Sequence, residues 1–148
     1  MPWAECSCPP YRRRALEVNV PIIVGPSRES IVPKVWTDFY KQTHIPAAIK
    51  VGDTLRPTGH TGETPGGAFS SDAELQIRQM FLNIAATLAE AGAKWPDVVE
   101  INSYHIGLLD QSGAILSVAA EFLEDPYPAC TAVGVSELFL PEALVEMR

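Results

Sequence analysis

The strongest constraint in this sequence is a single long amphipathic segment, from about Asp72 to Ala91. Ala73, Ile77, Phe81, Ile84, Leu88 and Ala91 recur at steps of three and four, which defines one apolar stripe on a helix. Ser71 and Glu74 have the spacing of a capping box, and Gly92 supplies a left-handed closing residue. At ~1.5 Å per residue the helix is ~30 Å long. A stripe of that length must be buried, and a small sheet is the surface it can cover.

Short strand patterns supply that sheet. Leu16, Val18, Val20 and Ile22 alternate with Glu17, Asn19 and Pro21, which predicts a strand, and Pro21 makes it an edge strand or a broken one. Residues 47–51 and 54–58 flank the turn pair Gly52-Asp53 and predict a hairpin. Residues 28–44 carry Trp36, Phe39 and Tyr40 without a clean period. Residues 59–69 form a glycine-rich loop that lacks the Gly-Lys-Ser/Thr ending of a phosphate loop. Further strands are expected over 97–106, 131–135 and 143–147, and a second helix over 114–123. The fold class is therefore α+β, a mixed β-sheet with two helices packed on one face. The other sheet face then needs solvent or a partner.

Composition limits the function classes. Apolar residues make up 47% of the 148, which excludes wholesale disorder. The net charge of −7 argues against nucleic acid as a partner, although Arg12, Arg13 and Arg14 form a short basic run. No apolar run approaches the ~20 residues of a membrane span. The Met1–Cys6 stretch lacks the organisation of a secretory leader. Cys6, Cys8 and Cys130 are too few for a disulfide framework and fit a cytoplasmic protein. Cys6 and Cys8 have no nearby partners for a metal, and no cofactor is expected.

From about Ala47 onward the chain resembles the RidA/YjgF family, also called the L-PSP endoribonuclease family. The matching pieces are Val51-Gly52-Asp53-Thr54-Leu55 with Thr58-Gly59-His60, then Gln79 to Ile84, Leu88 to Ala93, and Asp97-Val98-Val99. Pro126 to Val133 and Leu144-Val145-Glu146 complete the series, which covers about two thirds of the chain. The domain reading is a 1–45 N-terminal extension and a 46–148 RidA/YjgF-like domain. The resemblance implies a chorismate-mutase-like fold and a homotrimer with small-molecule clefts between subunits. It implies hydrolysis of enamines or imines such as 2-aminoacrylate. Some members were described as ribonucleases or translation inhibitors.

Departures from the family limit that transfer. Deaminating members hold the substrate carboxylate with an arginine in a Pro-Ala-Arg-Thr motif; Cys130 stands there instead. The family's Ser-Gly-Gln is Thr58-Gly59-His60, and its helix Asn and Tyr fall at about Leu116 and Ala119. The family pattern also runs several residues beyond Arg148. Glu146 matches the glutamate thought to orient the attacking water.

The candidate catalytic residues are therefore Glu146, Cys130 as a thiol nucleophile, and His60 as a base at the cleft mouth. Thr58, Gly59, His105 and Thr131 are the candidate ligand contacts. The expected activity is a diverged enamine or imine hydrolase that is not a standard 2-aminoacrylate deaminase. A non-catalytic small-molecule-binding or regulatory trimer and a Cys130-dependent hydrolase are the alternatives, and an endoribonuclease is the least supported.

Overall fold

The computed structural model describes residues 28–148. The strand expected over 15–24, the arginine run, Cys6 and Cys8 lie outside the described residues.

The described chain opens with β1 (Glu29–Ile31), a 3-10 turn (Lys34–Trp36) and α1 (Thr37–Thr43). His44 ends α1 at φ 59°, its amide donating to the Tyr40 carbonyl at 2.8 Å. No residue of α1 is buried, which explains why its sequence shows no apolar stripe. Trp36 packs edge-on against Phe39 and donates its indole N–H to the Ile45 carbonyl.

The hairpin forms as expected, from β2 (Ala48–Val51) and β3 (Thr54–Pro57). Val51 pairs with Thr54 across a two-residue turn whose Gly52 takes φ +57°. β1 adds to β2 with Glu29 opposite Lys50, giving a three-stranded antiparallel sheet. That pairing ties part of the expected 1–45 extension to the hairpin.

β4 (His60–Thr61) follows two residues after β3. It belongs to a second sheet, in the order β4-β7-β5-β6, with β5 (Glu100–His105), β6 (Ala129–Gly134) and β7 (Val145–Met147). β5 and β6 run parallel, whereas β7 is antiparallel to β4 and β5, so this sheet is mixed. The path from β3 to β4 crosses Pro57, which has no amide hydrogen to donate. One expected sheet is thus two, joined through Thr58 and Gly59.

α2 (Ala73–Glu90) starts one residue later than the capping-box reading implies. Asp72, not Ser71, is the cap: its carboxylate accepts from the Glu74 and Leu75 amides at 2.8 and 3.3 Å. At the other end Gly92 takes φ +74°, and the Ala93 amide reaches back to the Leu88 carbonyl at 2.8 Å. α3 (Leu108–Phe122) begins six residues before the expected start at Ala114. Its first turns present no apolar stripe, because the buried residue there is Gln111 and Leu109 is exposed.

Both helices cover one face of the four-stranded sheet, α2 over β4 and β7 and α3 over β5 and β6. Ile77, Phe81, Ile84 and Leu88 meet Ile101, Val118, Val145 and Met147 in one core. Phe81 stacks on Phe122 at 5.0 Å between ring centroids, and Trp95 packs against both. The described helices include none long and apolar enough to cross a membrane.

Candidate functional site

Strand alternation sorts the candidate residues onto two faces. Val145 and Met147 are buried against the helices, so Glu146 between them points to the opposite, open face. Directly paired residues share a face. Thr61 and Tyr104, the partners of Glu146, therefore stand beside it. Thr131 pairs with Asn102, two residues from Tyr104, and joins the same face. Cys130 pairs with Ile101 and belongs to the helix-covered face.

Gly59 fits directly under Glu146. A Cβ at residue 59 would lie 2.7 Å from the Glu146 Cδ, so a side chain there would push the carboxyl out of this position. Among the described residues that carboxyl makes no ion pair. It is half-buried, and burial pushes its pKa above the ordinary carboxylate value. Thr58, the preceding residue, donates its hydroxyl to the Pro46 carbonyl at 2.6 Å and so anchors this corner to the segment that leads into the hairpin.

His60 corrects a sequence expectation. It is in β4 and fully buried, not in a loop at a cleft mouth. Its Nδ1 lies 2.7 Å from the Thr58 carbonyl, which can only accept, so this nitrogen carries the hydrogen. Its Nε2, 2.8 Å from the Thr87 hydroxyl, then accepts. The Trp36 ring closes over it at 4.8 Å. Burial pushes the imidazole pKa down, so the ring is neutral and has no lone pair left for a substrate proton.

His105 is equally enclosed. Gln111 spends its amide N–H groups on the carbonyls of Ile106 and Leu144, which leaves its Oε1 to accept from His105 Nδ1 at 2.9 Å. The Ser103 hydroxyl donates to His105 Nε2 at 2.8 Å. Burial lowers this pKa as well. The ligand-contact reading of His105 thus meets a residue turned into the core. Cys130 is exposed, and its thiol donates to the Pro128 carbonyl at 3.4 Å. Neither buried histidine is paired with it.

One chain therefore gathers Gly59, Glu146 and Thr131 on the open face, ties Thr58 to the hairpin, and sends Cys130, His60 and His105 to the other side. Thr61 and Tyr104 were not among the expected site residues; the alternation of Asn102 and Tyr104 along β5 carries the signal for Tyr104, and nothing local marks Thr61. Nor were Gln76, Asn83 and Gln111, buried or half-buried amides that resemble surface positions of a helix. Asn83 donates to the carbonyls of Thr61 and Glu63 at 2.9 and 2.8 Å, pinning the start of the glycine-rich loop.

A cavity of about 610 Å³ opens between β3 and the start of β5, with Leu55, Leu88, Trp95 and Met147 among its walls. None of the seven candidate residues lines it. Among the described residues no three His, Cys, Asp or Glu side chains are grouped to hold a metal ion.

The sequence pattern of the family described as Endoribonuclease L-PSP matches residues 35–148. The chain belongs to that family. It is 36% identical over 112 residues to the RutC family protein YjgH of Escherichia coli, covering 75% of this chain and 86% of that protein. It is 35% identical over 97 residues to a 2-iminobutanoate/2-iminopropanoate deaminase of Dermatophagoides farinae, covering 62% of this chain and 72% of that one. Among solved structures, protein YjgH superposes with a TM-score of 0.74 at 33% identity, covering 81% and 92% of the two chains. A RidA from an Antarctic Psychrobacter gives 0.66 at 32% identity, covering 70% and 83%. The chain thus has the YjgF/L-PSP α+β fold.

Proposed function

We propose that this member of the family hydrolyses an enamine, an imine or a related small metabolite in clefts between the subunits of a homotrimer, without being a standard 2-aminoacrylate deaminase. The observation that carries this reading is Glu146: a half-buried carboxyl with a raised pKa, set over a glycine on an open sheet face. Such a group accepts a proton from water as that water attacks an iminium carbon and returns it to the departing amine. The relative named as an imine deaminase supports the reaction class. Thr131 and Tyr104 offer hydroxyls to a ligand on the same face.

Register favours a site shared between chains. Cys130 and Glu146 point to opposite faces of one sheet, so a single chain does not present both to one small molecule, whereas two chains can. Cys130 stands where deaminating members carry arginine, and a thiol does not pair with a carboxylate in the two-pronged way a guanidinium does. The preferred substrate therefore relies on another anchor. Among the described residues His60 and His105 are both bonded elsewhere than to the thiol, which ranks the Cys130-dependent hydrolase below this reading, and the charge of −7 keeps RNA cleavage lowest.

The test generates imines from several amino acids with an amino-acid oxidase and traps what persists with semicarbazide. The wild type is expected to lower the trapped imine from at least one amino acid, and Glu146→Gln to lose roughly 10²-fold or more of that activity. Cys130→Arg is expected to gain turnover of 2-aminoacrylate. Fast 2-aminoacrylate turnover by the wild type overturns the divergence. No turnover by either protein overturns catalysis and leaves a binding trimer, whose size sedimentation would report.

A further inference from the structure

β7 is only three residues long, yet it must hold Glu146 over Gly59. Two buried glutamines grip the chain just before it. Gln76 of α2 accepts the Leu144 amide hydrogen on Oε1 at 2.8 Å. Its Nε2 donates to the carbonyls of Glu142 and Ser70 at 2.9 and 2.7 Å. Gln111 of α3 donates from Nε2 to the Leu144 carbonyl at 3.3 Å and to the Ile106 carbonyl at 2.6 Å. The backbone of Leu144 is thus held on both its donor and its acceptor, two residues before Glu146.

The same helix position sets the strand on the other side of Glu146. A Cβ at Gly62 would lie 2.6 Å from the Gln76 Cα, so the end of β4 rests on the backbone of that residue. Thr61, next to Gly62, is the β4 residue paired with Glu146. Gln76 therefore touches the chain just after β4 and just before β7, two of the strands that meet at the carboxylate. Gln111 is itself fixed by His105, which is fixed by Ser103.

We propose that Gln76 and Gln111 are positioning residues for Glu146, clasping Leu144 so that the carboxyl stays in register over Gly59. The inference rests on the catalytic reading of Glu146 but is tested apart from it. On its own face Glu146 is flanked by Thr61, Tyr104 and Gly59, and Arg148 follows two residues along the strand. A shift of β7 changes how much water reaches the carboxyl.

The experiment follows the Glu146 side-chain carboxyl by carbon NMR against pH in the full chain and measures imine turnover in parallel. Gln76→Met and Gln111→Met are expected to move the Glu146 titration down toward the ordinary carboxylate value. They are expected to lower kcat on the order of 10²-fold with KM little changed, as misplacement of a reacting group does. Gln76→Glu keeps an acceptor for the Leu144 amide and is expected to restore part of the wild-type titration. Phe122→Ala, a truncation at the opposite end of α3 from Gln111 in the cluster with Phe81 and Trp95, controls for lost stability and is expected to move neither readout. An unchanged Glu146 titration in the folded glutamine variants overturns the clasp. If Gln76→Met does not fold, Gln111→Met carries the test alone. If the wild type turns over no imine while the titration still moves in the glutamine variants, the clasp stands and the catalytic reading falls.

Discussion

On the face of the four-stranded sheet covered by α2 and α3, His60, His105, Gln76 and Gln111 are buried, and their nitrogens and oxygens have partners. On the open face Glu146 is half-buried, without an ion pair among the described residues. Both regions contain polar groups taken partly out of water. In the first, desolvation is offset by hydrogen bonds, which makes the groups structural. In the second no ion pair among the described residues offsets it, and burial holds the carboxyl's pKa above its ordinary value.

Three predictions sharpen this contrast. The covered face carries the stability, so Phe81→Ala should cost about 3–5 kcal/mol in a urea unfolding curve. A smaller loss would show that the Phe81, Trp95 and Phe122 cluster is not the centre of the core. His60→Leu should cost less, about 1–3 kcal/mol, because it leaves the Thr58 carbonyl without its side-chain donor, while the Thr87 hydroxyl keeps the Asn83 carbonyl. This variant should also weaken an acid dependence. His60 and His105 have folded-state pKa values below the ordinary 6.5, so the unfolded chain binds more protons than the folded one as pH falls through that value. Their effect is thus a loss of stability on acidification below about 6.5, with none above it.

Glu146 has the opposite sign and the smallest effect. Its folded-state pKa is raised above 4.5, so the folded chain takes up its proton first as pH falls toward that value, and this proton stabilises the fold. Glu146→Gln removes the penalty of a partly desolvated charge. It should raise stability at neutral pH by less than about 1 kcal/mol, since the group remains half in water. Unfolding curves of wild type and variant should converge as pH drops toward 4.5. A destabilised Glu146→Gln at pH 7 would mean that the carboxylate has a partner.

Much of the scaffold was legible from local pattern. The stripe from Ile77 to Leu88 predicted both α2 and what it buries, and Gly52-Asp53 predicted a hairpin whose turn requires positive φ at glycine. α1 was not legible because none of its residues is buried, so no period marks it. The early start of α3 was hidden because its buried residue is a glutamine.

The fold class and the family were already readable from the chain, because both depend on residue types taken in order. The face that each of His60, Cys130 and Glu146 occupies follows from strand pairing. His60 follows a glycine that suggests a loop, yet two residues of strand pairing turn it into the core, and the same register turns Glu146 outward. In a strand that choice depends on pairing partners far along the chain, and a shift of one residue reverses it. No local pattern around positions 60 or 130 contains that information, whereas the alternation of Val145, Glu146 and Met147 carries part of it at 146.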